Sequence, residues 1–218
     1  MRMSALIKIA TGCLIVAGLA ACSAKRGDID LSGQGLVQIR SSCPTVAIAA
    51  QTGDITLFDP PASREAAAID VVADITDVRS TCTTVGDDLY SEVTYSVNAL
   101  RRDATAARDV DLPVFSTVVR GGTSVIAKRI TTIRLSFPAG SLRAHATGRT
   151  GAYVNREAAT LPDDIRQKLQ NPRRSGDADA ALDPLNRPDV KAALQRTSFE
   201  LLLGFNLTQD QLRYNVTR

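Results

Sequence analysis

The chain has 218 residues, 44% of them hydrophobic, with 26 Lys and Arg against 23 Asp and Glu. That length supports one sizeable domain with an appendage, and the near balance of charge gives no support for a nucleic-acid footprint. Aromatic residues make up 4% and tryptophan is absent, which argues against a stacking platform for sugars or nucleobases.

The N-terminus reads as a targeting segment. Arg2 and Lys8 supply positive charge, and Ile9–Ala21 carries none. At about 13 residues the apolar run is short of the roughly 20 that a spanning helix needs, and it fits the h-region of a signal peptide. It ends in Leu19-Ala20-Ala21-Cys22. Leucine, two small residues and a cysteine in that order resemble the lipobox of bacterial lipoproteins. The resemblance covers this processing segment alone. It implies cleavage between Ala21 and Cys22, a diacylglyceryl thioether on Cys22, and acylation of the new amino group. Two or three acyl chains, at about 0.8 kcal/mol per buried CH2, anchor stably where one does not. Ser23, not an aspartate, follows the cysteine and leans the sorting towards the outer membrane. Residues 1–21 are therefore expected to be a signal peptide, and the remainder a lipid-anchored protein of the bacterial envelope facing the periplasm. Cleavage removes two basic side chains and no acid, which brings the mature chain closer still to neutrality.

Of four cysteines, Cys13 leaves with the signal peptide and Cys22 takes lipid. Cys43 and Cys82 remain, an even pair in an oxidising compartment, and are expected to form a disulfide.

Residues 22–35 are polar and glycine-containing, the composition of a flexible tether. From Leu36 to about Val154 the hydrophobic period is two. Candidate strands run over Leu36–Arg40, Thr45–Ala50, Ile55–Phe58, Ile69–Thr81, Leu89–Arg101, Val114–Val119, Thr123–Phe137 and Leu142–Thr147, with a short addition at Ala152–Val154. In Leu89–Arg101, residues Leu89, Val93, Tyr95, Val97 and Ala99 share one face, and Glu92, Thr94, Ser96 and Asn98 the other. In the preceding strand Ile69, Val71, Ala73 and Ile75 alternate until the pattern slips, which predicts a bulge near Thr76–Val78. Gly86-Asp87-Asp88 and Arg120-Gly121-Gly122 supply turns. Short strands at regular spacing predict a mainly β domain over residues 36–155, an antiparallel β-sandwich of immunoglobulin-like architecture.

Residues 156–218 read as a helical C-terminal segment. Thr160 to Asp164 resembles a helix start, with Ile165 and Leu169 on its apolar side. A loop follows over Asn171–Arg187. Pro188 opens a second helix in which Val190, Ala193, Leu194, Thr197 and Leu201 form a stripe, with Gly204 as its stop. Thr208-Gln209-Asp210-Gln211 has the form of a capping box before a last short helix.

Catalytic signatures are sparse. His145 is the one histidine, it lies on the polar face of a predicted strand, and no Gly-x-Ser-x-Gly elbow accompanies it. Asp177, Asp179 and Asp183 echo a calcium loop, but Ala181, Leu182 and Pro188 occupy the positions of a third ligand, the turn glycine and the bidentate acid. No metal, cofactor or nucleic-acid partner is expected. The leading expectation is a non-enzymatic envelope lipoprotein acting through contacts with other envelope proteins at a membrane surface. A small-ligand or lipid carrier is the alternative, and an envelope hydrolase a more distant one. Phe199, Leu202, Leu203 and Phe205 give the second helix apolar residues on more than one side. They are the candidate partner contacts, unless that helix packs on its own sandwich.

Overall fold

Two four-stranded sheets face each other across a shared apolar core. The computed structural model describes residues 42–170 and 183–217. One compact unit, residues 40–169 and 184–218, holds the described strands. In chain order these are β1 (Thr45–Ile48), β2 (Asp54–Phe58), β3 (Ile69–Val85), β4 (Asp88–Arg101), β5 (Arg108–Arg120), β6 (Ser124–Phe137), β7 (Arg143–Asn155) and β8 (Phe199–Phe205). The described helices are α1 (Asp163–Gln170), α2 (Pro188–Thr197) and α3 (Gln209–Thr217). The first sheet runs β1-β8-β5-β6 and the second β2-β3-β4-β7. β1 and β8 are parallel; the other neighbours are antiparallel.

The period-two reading explains the layers. Along β4 the buried Leu89, Val93, Tyr95, Val97 and Ala99 turn into the sandwich, while Glu92, Thr94, Ser96 and Asn98 turn out. The slip anticipated in β3 is present. The β3–β4 register shifts between Thr76 and Arg79, and Asp77 takes a positive φ of 49°. Gly86 and Asp87 close the β3–β4 hairpin, with Val85 paired to Asp88. Gly121 and Gly122, both at positive φ, turn β5 into β6. The two short runs at Leu142–Thr147 and Ala152–Val154 are one strand, β7, because Gly148 and Gly151 continue its pairing with β4.

The C-terminal segment needs correction. The second helix ends at Thr197, and Phe199–Phe205 is a strand lying between β1 and β5. Phe199, Leu203 and Phe205 are buried in the common core with Leu201, and Leu202 is half-buried on the opposite side of the strand. These residues are therefore covered by the chain's own sandwich. Gly204 is a strand residue, beneath Thr52 and Phe115, where a Cβ has no room. The sandwich thus extends beyond residues 36–155, and its first sheet requires the C-terminal part. The helix starts near Asp163, at Pro188 and after Thr208 follow expectation. Ile165 of α1 packs with Val190 and Ala193 of α2, and Leu169 and Leu194 lie against them. Lys168 donates to Asp189 at 2.8 Å, which holds the Asp189 carboxyl down at about 2. The Thr208 amide donates to Gln211 Oε1 and the Gln211 amide to Thr208 Oγ1, the reciprocal capping box that opens α3.

Cys43, just before β1, is bonded to Cys82 of β3. The bond joins the leading edge of the first sheet to the second. The lipobox with Cys22, the tether 22–35, the predicted strand Leu36–Arg40, Asp177 and Asp179 lie outside the described residues.

Two stability outcomes follow from this architecture. Phe205→Ala removes a fully buried ring from the strand that completes the first sheet, and should cost about 3–5 kcal/mol in urea unfolding. Reduction of the Cys43–Cys82 bond opens a loop with a sequence separation of 39. It should cost roughly 3–4 kcal/mol in the chain-entropy account, and a maleimide gel shift should appear only after reductant.

Candidate functional site

The two ends of the sandwich differ. At one end the sheets are tied by arginine. Arg101, 4% exposed, closes β4 and donates from Nε to the Ser141 carbonyl, from Nη1 to Ala106, and from Nη2 to Ala104 and Pro138. Its guanidinium also lies 5.1 Å from the centre of the Phe137 ring. Nearby, Arg108 of β5 makes a bidentate pair with Asp70 of β3, with contacts of 3.1 and 2.8 Å. A planar fork of five donors suits several carbonyls at once, so Arg101 pins the loops on both sides of this end.

At the other end, near the β5–β6 turn, the edge strands β6 and β7 leave a groove of about 370 Å3 between the sheets. Its apolar floor comes from Val118 of β5, Leu201 of β8 and Ala152 of β7, and Ser116 adds a hydroxyl. Ala127 and Arg129 of β6 form one lip, with Lys128 between them, and on the β7 side Tyr153 and Tyr90, paired in register on the outer face of the second sheet, adjoin the groove. Arg129 is paired in register with Ser116, so it shares the inward face of the first sheet. The Tyr90 and Tyr153 rings lie 4.6 Å apart at 36°. Gly151 permits this, since a Cβ there would stand 2.6 Å from the Tyr90 oxygen.

Beneath the groove a band of hydroxyls crosses the sandwich. Ser116 Oγ and Thr150 Oγ1 are 2.8 Å apart and link β5 to β7. Tyr95 of β4, 3% exposed, is hydrogen-bonded with Thr131 of β6. Ser91, the neighbour of Ala152 in register, has a buried Oγ without a hydrogen-bond partner among the described residues. Burial raises the Tyr95 phenol above the ordinary tyrosine range, and the Thr131 hydrogen bond works in the opposite direction. Sequence reading placed Tyr95 in the core but missed the hydroxyl partners, because nothing in a local pattern states which inward positions meet across two sheets.

The rim is unusually apolar for an edge. Val125 is 64% exposed, Ile126 55%, Ile130 54% and Tyr153 63%. β6 from Ser124 to Thr132 is exposed at every residue, on both faces. Within the strand predicted over Thr123–Phe137, Ile133, Leu135 and Phe137 are the buried residues, alternating with exposed Arg134 and Ser136.

The residues weighed for chemistry fall elsewhere. His145 sits on the outer face of β7, with Nδ1 3.0 Å from Asn98 Oδ1, and the Asn98 amide donates to Thr76. Asp163 and Asp164 pair with Arg166 and Lys168 within α1. Among the described residues no group of three or more His, Cys, Asp or Glu side chains is placed to hold a metal, and no helix is long and apolar enough to cross a membrane. No protein-family profile matches this sequence, and comparison with curated proteins and with solved structures finds no match.

Tyr95 provides a check on the packing under the groove. A tyrosine whose pKa is raised on folding stabilises the fold below its unfolded value of about 10 and stops doing so as pH climbs through the folded value. Of the four tyrosines, one should ionise later than the rest in an ultraviolet phenolate titration, and Tyr95→Phe should remove that late component.

Proposed function

We propose that the protein is a cell-envelope lipoprotein, tethered through Cys22, that acts by contact with another envelope protein at the open edge between β6 and β7. The observation that carries the reading is the apolar surface that two edge strands leave exposed, Val125, Ile126 and Ile130 on β6 and, beside the groove, Tyr153 on β7. Soluble proteins ordinarily shield long strand edges, and an exposed apolar edge marks a surface that pairs with something else. The tether adds to this. A lipid anchor confines the domain near a membrane and raises its effective concentration towards neighbours there. The docking surface is reassigned relative to the sequence reading, since Phe199, Leu203 and Phe205 are committed to the core.

The groove volume also favours a second reading, a carrier of a small amphiphile, because about 370 Å3 falls within the range of small-molecule sites. Native mass spectrometry of protein purified from cells separates the two. A carrier retains a ligand mass that Ala152→Phe abolishes.

For the leading reading, Cys22→Ala should abolish incorporation of a fatty-acid analogue. Photocrosslinkers at Val125, Ile126 and Tyr153 should capture a discrete envelope partner in cells, whereas one at Thr76, on the outer face of β3, should not. Persistent lipid labelling of the Cys22 variant overturns the anchor. Equal crosslinking from the rim and from Thr76 overturns the docking edge.

A further inference from the structure

Resting on that docking reading, we propose that the partner contributes an extended acidic segment, which adds to β6 as a strand and seats its side chains in the groove between β6 and β7. Three observations support this occupant.

The first is the backbone. β6 pairs with β5 alone, so the other edge of its 14 residues is hydrogen-bonded to no strand among the described residues. Such an edge offers alternating N–H and C=O groups to an incoming strand, and the side chains of that strand supply specificity.

The second is charge. β6 carries Lys128, Arg129 and Arg134, β7 carries Arg143, His145 and Arg149, and neither strand contains an Asp or Glu. Arg134 is occupied by Asp111 at 2.8 and 3.0 Å, and Arg149 approaches Glu92 at 3.8 Å. Arg129 has no acidic partner among the described residues. A lysine is a common means of blunting an edge, but Lys128 is turned away from the groove. Its ammonium lies 5.0 Å from the centre of the Phe115 ring and donates to Asn206. Self-pairing of β6 with a second copy would set two wholly basic strands side by side, which is unfavourable. An acidic strand reverses the sign of that interaction.

The third is the order of side chains along the inward face. Ala127, over Val118 and Leu201, is followed two residues later by Arg129. An added strand places alternate side chains on that face. The complementary pattern is an apolar residue, any residue, then Asp or Glu. Tyr153, with Tyr90 beside it in register, lies on the outer side of the β7 edge next to the groove. A flat anionic lipid surface does not reach the floor of a groove between two sheets, which places the peptide ahead of the membrane.

The test uses the full-length protein in detergent and a labelled peptide of about nine residues, the length of a strand. Threonine alternates with Val, Val, Glu and Val in this peptide. Controls are the same peptide with Lys for Glu, a scrambled peptide of equal charge, and vesicles with anionic phosphatidylglycerol. The expected result is binding of the alternating Glu peptide, protection of alternate β6 amides from hydrogen exchange, and at least tenfold weaker binding by Arg129→Glu. That variant should in turn bind the Lys peptide better than the wild type does. Arg129 is exposed, so the substitution leaves folding intact, and an unchanged urea midpoint verifies this. The inference is overturned if the scrambled peptide binds equally, if β6 amides stay unprotected, if Arg129→Glu changes nothing, or if only the vesicles bind. Rim crosslinks in cells without peptide binding would sink this inference and leave the docking reading standing; absence of both would sink the two together.

Discussion

The first sheet exists only because seven residues from near the end of the chain lie between two strands from much earlier in it. β8 is the sole described strand partner of β1, in parallel over Thr45–Ile48, and joins β5 antiparallel from Val114 to Arg120. Its alternate side chains Phe199, Leu201, Leu203 and Phe205 fill the core against the second sheet. Non-local pairing of this kind carries a large loop-closure cost before any contact repays it. The surrounding devices lower that cost. α2 and the Ser198 turn aim the chain into the gap, and the Cys43–Cys82 bond holds the approach to β1 against β3.

Once the sheets are closed on each other, the sandwich has two unlike ends. Arg101 spans four carbonyls and stacks on Phe137 where the chain passes from β4 to β5 and from β6 to β7. A buried guanidinium without those acceptors would be strongly destabilising, so the loops around it are held in one arrangement. Away from that end, cross-sheet contacts turn polar through Ser116–Thr150 and Tyr95–Thr131. The sheets then part at the lips of β6 and β7. Hydroxyl pairs bridge the layers at a defined distance but do not fill space as branched apolar side chains do.

An edge with exposed valine and isoleucine, an arginine without an acidic partner among the described residues, and no acid of its own conflicts with the ordinary rules for a self-contained sandwich. Consistency between local pattern and fold is the usual mark of a natural sequence, and departures from it concentrate at sites with a task. β6 obeys the alternation rule from Ile133 to Phe137 and abandons it from Ser124 to Thr132. The same strand thus supplies core at one half and an exposed, partly apolar edge at the other.

Much of this was legible in the amino-acid order alone. Alternation marked β3 and β4, the slipped period at Thr76–Val78 located the bulge, and glycines at positive φ located the β3–β4 and β5–β6 turns. Counting cysteines paired Cys43 with Cys82, and the Thr208–Gln211 spacing foretold the cap of α3. These are properties of a few adjacent residues, so they survive without knowledge of the fold. Phe199–Phe205 did not. Its period of two was present, but it followed a helical stripe directly, and a short apolar run has no sign that separates a buried strand from a helix. Only the vacancy between β1 and β5 decided it. Likewise, no local feature distinguishes Arg101, sunk among carbonyls, from Arg129, exposed at a groove. That difference is set by which loops and strands meet in three dimensions, and it is there that the candidate site is made.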